Sequence, residues 1–550
     1  MYSLPRGRLF IKERPAMGES ISAVTYILAG TLAMFAIAAR IAAGIVDRET
    51  IRVWIGSWVA ATVAVFLVRN FFAYGACLFV IALVSSRRLP PEERPYLFIV
   101  LMFTAPNLVI RMPGFAGINT LLDLTPQRIL SAAILLPLLP ALLRQAVPPR
   151  LKIVDTLVVC FVLLITVLTF RHSEATATDT VRRLITNVLE IGVPYFVFSR
   201  CLMTVGDIRK GYMALVFGTL SFPVIGVIEF LRQWRLFNVV AQGWGAEMVQ
   251  FYLFRDGMLR SAGPAIEAIA FGFICMIAMG CMLSLMTREK RTMVVMGIFA
   301  AFAIGLVTSL SRGPWVGAAI MLVVYLLARP KAVSTGVQAT LLGGLALVPV
   351  LMSPLGDKII RYLPFVGTVE NNNVEYRQQL IDNSMAIIGR HPIFGAAEFL
   401  NEPEMLVMRQ GQGIIDVVNT YVALALEFGL LTLAIFLLIF VLTGLSVLPM
   451  AFRRDALAEP ARQWLAIMAA TMVTIATVSS VSYIPFIYWI MAGFGVGMVR
   501  MSTMGETAVG AMPHATGSPG MQGMRVIGTG AYAHSGAAAP ATALSRTNDA

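Results

Sequence analysis

The chain has 550 residues, of which 58% are hydrophobic and only 13% are charged. A soluble chain of this length needs far more charge on its surface, so the composition excludes a soluble globular protein. The formal net charge of +13 does not indicate nucleic-acid binding, because the basic residues lie in short loops beside apolar segments and no basic tract is interleaved with aromatic residues.

The apolar residues occur in blocks of about 15–27, the length of helix that crosses a hydrocarbon layer roughly 30 Å thick. Val294–Leu310, Ala265–Met286 and Thr420–Val447 are examples. Such blocks must be helical because lipid offers their backbone no other partner, and the alternation that builds a membrane barrel is missing. The sequence therefore predicts an all-α, polytopic membrane protein with about fourteen transmembrane helices.

The predicted organisation begins with residues 1–20, a basic N-terminus without a cleavage site that we expect in the cytoplasm. About eleven transmembrane helices follow over residues 21–352. Residues 353–419 form a large polar loop in the periplasm, and residues 420–500 carry about three further helices. Residues 501–550 are rich in Gly, Ala, Ser, Thr and Pro, which predicts a disordered cytoplasmic tail.

Orientation follows from the short basic loops, which are cytoplasmic in membrane proteins. All of them agree with one topology: Arg144–Lys152, Asp207–Lys210, Arg288–Arg291, Arg329–Lys331 and Arg453–Arg454. This topology places residues 231–264, 309–313 and 353–419 outside, as in a bacterial inner-membrane protein. We interpret residues 51–84 as one bent crossing, which keeps the N-terminus inside; two short crossings broken at Arg69-Asn70 are the alternative.

The outside face collects four polar segments next to the ends of membrane spans. They are Leu259–Pro264, Thr308–Trp315, the loop elements Glu375–Gln379 and Gly389–Gly395, and Asp416–Tyr421 leading into Glu427-Phe428-Gly429. Three of their arginines, Arg260, Arg312 and Arg377, have the planar, permanently charged side chain that suits phosphate. Converging at a membrane surface, they could hold a lipid diphosphate and stabilise it as a leaving group.

In this order the four segments resemble the O-antigen ligase and O-antigen polymerase superfamily of membrane glycosyltransferases. The resemblance covers residues 258–429 in detail and the hydropathy of the whole chain more loosely. It implies a fold similar to the C-type glycosyltransferases and transfer of a glycan from an undecaprenyl diphosphate carrier at the periplasmic face. The acceptor is a lipid A core sugar for the ligases and another carrier-linked repeat unit for the polymerases. Membrane lipids, and polysaccharide export or chain-length proteins, are the further partners considered.

The resemblance also implies roles for individual residues. Arg260, Arg312 and Arg377 match the positions where the family places diphosphate-contacting arginines, and Arg312 and Arg377 are expected to act in catalysis. His391, Asn419 and Glu427 are the remaining residues expected to bind substrate: each lies in one of the matching segments. No metal or cofactor is expected, and the five cysteines lie in or beside apolar blocks without the spacing of a metal or redox site.

Two departures from the ligase pattern favour a polymerase of exopolysaccharide or O-antigen repeats. Val418 occupies the position where ligases commonly carry a histidine, and Gly395-Ala396-Ala397 lacks the second glycine of the family's element. If a base is required, Asp416 is the nearest titratable group. On one continuous helix, Asp416 and Glu427 would share a face at a separation of roughly 16 Å.

Each candidate residue also has a structural interpretation. Arg312 and Arg260 could be interfacial anchors, Arg377 could pair with Glu375 or Asp382, and His391 could shape a turn. Asp416 could be a helix N-cap, and Glu427 could pair with an arginine. Glu267, near the start of its span, is open to both readings.

One further candidate site and two alternative functions remain open from the sequence. Asp47-Arg48-Glu49, expected outside after the first span, resembles an acidic metal pair but is interpreted as a solvated turn. A transporter or lipid-linked oligosaccharide flippase would carry ionisable residues near the bilayer midplane in two matching repeats. Here the charge lies on one face and no internal repeat is found. A non-catalytic assembly subunit of an export complex is the third possibility, and it would not need the three arginines.

Overall fold

The computed structural model describes residues 17–114, 120–145, 147–173, 175–246, 254–255, 257–285, 292–330, 371–409 and 415–510. Within these residues, seven helices are long and apolar enough to cross a membrane, and four shorter apolar helices accompany them. In the described part of the chain, sheet is limited to two small hairpins. The prediction of an all-α, polytopic membrane protein is confirmed, whereas the count of about fourteen spans stays a prediction.

The helices are numbered along the chain. They are α1 (Met17–Ala42), α2 (Arg48–Leu67), α3 (Phe71–Arg87), α4 (Arg94–Leu101), α5 (Pro126–Leu130), α6 (Leu139–Leu143), α7 (Pro149–Val167), α8 (Ala177–Asn187), α9 (Val193–Cys201), α10 (Val205–Thr219), α11 (Ser221–Arg232), α12 (Asn238–Gly243), α13 (Ala268–Met282), α14 (Thr292–Thr308), α15 (Arg312–Leu327), α16 (Asn371–Arg390), α17 (Pro403–Leu406), α18 (Thr420–Ala451), α19 (Ala458–Ile475) and α20 (Ile484–Gly510).

Short irregular elements join these helices. The strands are β1 (Ile110–Pro113) with β2 (Thr120–Leu124), and β3 (Phe254–Arg255) with β4 (Met258–Leu259), each pair antiparallel. π-helical segments occupy Ser131–Leu135 and Val188–Gly192, and 3-10 turns occupy Leu136–Leu138, Leu168–Arg171, Gly263–Ala265 and Phe399–Asn401. Buried apolar side chains of the bundle form one large core, and a smaller core joins α16 and α17 to the start of α18.

The segment interpreted as one bent crossing is a helical hairpin. Ser57 on α2 donates a hydrogen bond of 2.7 Å to the hydroxyl of Ser85 on α3, which only an antiparallel pair of helices allows. The chain reverses at residues 68–70, where Asn70 caps α3 by accepting from the amide of Ala73 at 3.0 Å. The single-crossing interpretation is wrong, because a helix N-cap after Arg69 starts a new helix instead of bending the old one.

The hairpin also changes the placement of the first helix. Tyr26, near the start of α1, packs edge-on against Trp234 with ring centroids 6.4 Å apart, so this end lies with residues 231–264. Asp47, just after α1, interacts with Lys210 on the opposite side of the bundle. We call residues 309–313 the arginine turn. Relative to this turn, the predicted sides of residues 17–20 and of Asp47-Arg48-Glu49 are therefore reversed. Residues 1–16 lie outside the described residues.

Close packing of α15 on α19 fixes the start of α15. Gly313 and Gly317 lie four residues apart, and a Cβ atom on either would collide with the hydroxyl of Thr477 or Thr474. Small residues at this spacing let two membrane helices approach closely. Farther along the chain, α20 continues to Gly510, so the predicted tail does not begin at residue 501; residues 511–550 lie outside the described residues.

Candidate active site

Arg260 is built into the turn that carries Arg312. Its side chain is buried, donating from Nε to the carbonyl of Ser309 at 3.2 Å and from Nη2 to the hydroxyl of Ser311 at 2.8 Å. The amide of Ser261 donates to the carbonyl of Thr308 at 3.1 Å. Arg312 is the first residue of α15 and is half-buried. Two of the three predicted arginines thus lie at one turn.

The start of α15 adds positive potential to this turn. The N-terminus of a helix carries a partial positive charge and exposes unpaired amide groups, which favours an anion and disfavours a cation. Arg312 stands at this end, and Arg255 donates from its guanidinium to the carbonyl of Leu310. Sequence reasoning missed Arg255, which lies outside the matching segments. The concentration of cations here suits an anionic group such as a phosphate.

A buried carboxylate holds the segment that carries Arg260. Glu229, 1% exposed, accepts from the amides of Ala262 at 2.9 Å, Gly263 at 3.0 Å and Leu236 at 3.0 Å. A carboxylate inside a membrane span is costly unless such donors satisfy it. Sequence reasoning also missed Glu229, although a lone carboxylate late in the apolar run of α11 is the signal that could have found it.

Two further carboxylates lie near the arginines. Glu267, immediately before α13, interacts electrostatically with Arg260, Arg235 and Asp416. The surrounding protein raises the pKa of its carboxyl by desolvation, and Asp416 raises it further, whereas the two arginines lower it. Arg235 also donates to the carbonyl of Ile266 at 3.2 Å. Asp416 and Glu267 therefore lie within electrostatic range of each other, and we call them the carboxylate pair.

Asp416 lies in an extended segment and not in a helix. It is exposed, and its carboxylate accepts from the hydroxyl of Ser479 at 3.1 Å. The N-cap of α18 is Asn419, whose side-chain oxygen accepts from the amides of Tyr421 at 3.0 Å and Val422 at 3.2 Å. The N-cap interpretation of Asp416 is wrong, and so is the single helix through Asp416 and Glu427. The oxygen of Asn419, predicted to bind substrate, is used by the cap.

Backbone strain is concentrated around these residues. Ile266, Leu310 and Ser482 have φ values of 67°, 47° and 57°, a left-handed conformation that costs energy for residues other than glycine. Ile266 precedes Glu267, and Leu310 lies in the arginine turn. Ser482 follows Ser479, the hydrogen-bond partner of Asp416. Such strain persists where the surrounding contacts enforce it, and it is typical of binding and catalytic sites.

The start of α16 reaches Asp416 from the loop. The hydroxyl of Tyr376 donates to the carbonyl of Asp416 at 3.5 Å, and Leu380 packs in the same small core as Val417. Arg377 is exposed on this helix, next to Tyr376. The helix α16 lies within the predicted polar loop, while residues 353–370 and 410–414 of this loop lie outside the described residues.

The His-Pro element and the Glu-Phe-Gly element dock onto each other. Ala396 donates its amide to the carbonyl of Leu426 at 2.7 Å, and Leu430 donates to that of Pro392 at 2.8 Å. Gly429 breaks α18 with a φ of 82°, and Gly395 has a φ of 73°. A Cβ atom on either glycine would collide with the other strand's backbone. We call residues 392–396 with 426–430 the loop junction.

Glu427 belongs to this junction, and His391 directly precedes it. His391 is exposed at the end of α16. Glu427 lies 3.6 Å from Arg183, while Arg171 donates to the carbonyls of Glu427 at 2.8 Å and Gly395 at 2.7 Å. Among the described residues, the contacts of Glu427 run to these arginines and the junction and do not include Arg260 or Asp416. Pairing with arginine is therefore what the geometry gives Glu427.

The described residues contain no group of three or more His, Cys, Asp and Glu side chains placed to hold a metal ion. The site as described consists of arginines, two carboxylates and backbone groups at one end of the bundle. This arrangement can bind an anion and move a proton.

Comparison with known proteins agrees with the geometry. A family model described as O-antigen ligase matches residues 297–437, about a quarter of the chain, from α14 to the first half of α18. The match includes Arg312, Arg377, Asp416 and Glu427, and Arg260 lies before it. No curated protein matches the chain. Over these residues the chain is similar to the O-antigen ligase family, whose members are membrane glycan ligases and polymerases.

Proposed function

We propose that this protein transfers a glycan from an undecaprenyl diphosphate carrier to an acceptor at the periplasmic face of the bacterial inner membrane. The observation that carries the proposal is the contact between Arg260 and the turn of Arg312, within and beside the matched domain. Two guanidinium groups and a helix N-terminus at one turn have the charge and the fork geometry that a diphosphate requires.

In this proposal, Arg312 and Arg260 bind the diphosphate and stabilise the charge that grows on it as the glycosidic bond breaks. Preorganised donors in a partly dry site act most strongly where charge develops in the transition state. Arg377 joins them from α16, because Tyr376 anchors that helix beside Asp416. The buried hydrogen bonds of Arg260 keep its guanidinium in place, so little reorganisation is needed during reaction.

The acceptor hydroxyl must lose a proton as it attacks the sugar. Asp416 and Glu267 are the two carboxylates at the site, and the charge of Asp416 raises the pKa of Glu267. Where environments separate the pKa values of two such groups, one acts as base and the other stays in the opposite protonation state. We propose that one carboxylate of this pair takes the proton, with Asp416 the more accessible of the two.

We favour polymerisation of exopolysaccharide or O-antigen repeats over ligation to lipid A core. Val418 stands where the ligases commonly carry a histidine, and this segment lies directly between Asp416 and the cap of α18. We also propose polysaccharide export or chain-length proteins as partners of such a polymerase. No metal is proposed for the reaction.

The test uses membranes containing the full chain, supplied with a labelled undecaprenyl diphosphate-linked oligosaccharide and, separately, with lipid A core. A ladder of carrier-linked products supports the polymerase, and a single transfer onto lipid A core supports the ligase. Movement of the donor across the bilayer without a new glycosidic bond would contradict both and favour the transporter. The control is membranes from cells without the protein.

A further inference from the structure

A polar cavity separate from the arginine turn lies on the same side of the bundle. Its volume is about 400 Å³, and its charged lining consists of Asp123, Arg128, His172, Asp179, Arg182 and Arg183. Arg183 also approaches Glu427, and neighbouring Arg171 binds the loop junction. The cavity therefore opens next to the junction.

A smaller apolar cavity adjoins it. This second cavity has a volume of about 200 Å³ and shares Asp123, Arg128 and Thr186 with the polar cavity. Its other walls are mostly hydrocarbon side chains, among them Phe79 and Ile185. A polar and an apolar compartment with a common wall fit a molecule that has a charged head and an apolar chain.

One arginine of the polar cavity is exposed, while the other two are engaged by protein groups. Arg128 is held by Glu190 at 2.8 Å and Arg182 by Asp179, whereas the side chain of Arg183 is 45% exposed and lies 3.6 Å from Glu427. Forked guanidinium groups bind phosphate, and carboxylates accept hydrogen bonds from hydroxyl groups. The lining thus suits a head group that carries both.

The wall of the apolar cavity has an independent mark of function. It contains Ala132 and Leu189, which lie in the two π-helical segments. The segments contact each other, because the hydroxyl of Ser131 donates to the carbonyl of Leu189 at 2.8 Å. π-helical turns are rare and are found mostly at functional sites, and here two of them face the same cavity.

We propose that the two cavities form one binding site for a lipid whose head group carries phosphate and hydroxyl groups. The phosphate contacts Arg183, the hydroxyl groups contact Asp123 and Asp179, and one chain enters the apolar cavity. The ligand is either a phospholipid of the bilayer or a phosphorylated glycolipid, which share this chemistry. The site does not depend on the transfer reaction proposed above.

The test is native mass spectrometry of the full chain in detergent, titrated separately with phosphatidylglycerol, monophosphoryl lipid A and phosphatidylcholine. Arg183→Gln removes the most exposed cation of the cavity, and Ile185→Trp fills the apolar cavity from a position that is 39% exposed. The matched controls are Arg232→Gln and Val181→Trp. Arg232 is an exposed arginine on the same side of the bundle, and Val181 is an exposed residue one turn earlier on α8.

We expect saturable binding of phosphatidylglycerol or monophosphoryl lipid A, whose head groups carry both phosphate and hydroxyl groups, weakened about ten-fold by each variant and unchanged in the controls. Phosphatidylcholine, whose head group carries phosphate but no hydroxyl group, should bind weakly. Preference for phosphatidylglycerol identifies a bilayer phospholipid, and preference for monophosphoryl lipid A identifies a glycolipid. Absence of saturable binding, or equal loss of phosphatidylcholine in the Arg183→Gln variant, would overturn the proposal. So would wild-type binding by both cavity variants.

Discussion

Arg260 donates a hydrogen bond of 2.8 Å from its guanidinium to the hydroxyl of Ser311, the residue directly before Arg312. The contact joins two segments that are about fifty positions apart in the chain. Because Arg260 is buried, its hydrogen bonds to the turn are shielded from water and are stronger than exposed ones. The two arginines therefore act as one structural unit, and any change that moves the segment of Arg260 is expected to affect the site.

The first prediction concerns Glu229, whose carboxylate holds the segment of Arg260 through hydrogen bonds. Glu229→Ala leaves three backbone amides without their acceptor, at a cost of about 1–3 kcal/mol for each buried group. We expect a lower unfolding temperature and a loss of glycan transfer, while Glu229→Gln, which keeps one oxygen, is expected to be intermediate. Differential scanning fluorimetry and the membrane transfer assay measure the two effects.

Glu19→Gln, at the exposed start of α1, is the control for loss of a carboxylate. Equal stability and activity of Glu229→Ala and the wild type would show that the segment of Arg260 does not need Glu229. A positioning role also predicts that the residual activity of Glu229→Gln reflects a lower kcat more than a higher KM, because the reacting geometry is what changes.

The second prediction concerns the pH dependence of transfer. Desolvation and Asp416 raise the pKa of Glu267 above its ordinary value near 4.5. A base must be deprotonated, so activity falls as the pH decreases through this raised pKa. If Glu267 is the base, the Glu267→Gln variant transfers glycan slowly at every pH. Its pH profile then lacks the fall in activity on the acidic side. Asp416→Asn then shifts this fall to lower pH, because the neighbouring negative charge is gone.

The same profiles decide between the two carboxylates. If Asp416 is the base, Asp416→Asn removes most activity at every pH, whereas Glu267→Gln remains active. Full activity of both single variants across the pH range would eliminate the carboxylate pair from the mechanism and leave the arginines as the only catalytic groups proposed.

The third prediction tests the loop junction. Gly395→Ala and Gly429→Ala each place a methyl group against backbone atoms and strain a residue of positive φ. We expect each to lower the unfolding temperature and to reduce transfer, because the loop that carries α16 loses its backbone contacts with α18. Gly389→Ala is the matched control, since a Cβ atom there meets nothing within 4 Å. If Gly389→Ala and Gly429→Ala behave alike, the junction does not position the loop.

The fourth prediction is the relative sidedness of the first three helices. In a cysteine-free variant, a cysteine at position 69 should react with an impermeant thiol reagent from the same side as a cysteine at position 312. A cysteine at position 47 should react from the opposite side, together with one at position 454. Labelling of positions 69 and 312 from opposite sides would contradict the hairpin of α2 and α3.

The sequence predicted that the segments of Arg260 and Arg312 lie close together. Each segment adjoins the end of a span on the same face of the membrane, where neighbouring loops meet. The sequence could not predict that Glu229 accepts hydrogen bonds from backbone amides of the segment of Arg260. These bonds depend on the course of the backbone in three dimensions, which no local sequence pattern encodes. The reversal at residues 68–70 was missed for a related reason. Both apolar runs beside Arg69-Asn70 are short, and hydropathy does not distinguish a bend from a hairpin.

The motifs of the loop junction illustrate another limit. Sequence reasoning assigned His391 and Glu427 to substrate, because they lie in the segments that resemble the family. The structure uses the same stretch to dock the loop, through Gly395, Gly429 and backbone hydrogen bonds. A polar motif that binds substrate and a structural junction look alike in sequence, since both require particular residues at fixed spacing.

The most direct test of the account is glycan transfer by Arg312→Ala and Arg312→Lys in membranes with equal amounts of inserted protein. Losing one donor to the developing charge typically reduces the rate by about 10²–10³, so Arg312→Ala should make almost no product. Arg312→Lys should recover little of it, because an ammonium group keeps the charge but loses the fork. Arg232→Ala, on the same side of the bundle, should transfer at the wild-type rate. Wild-type product from a well-expressed Arg312→Ala variant would contradict the diphosphate site.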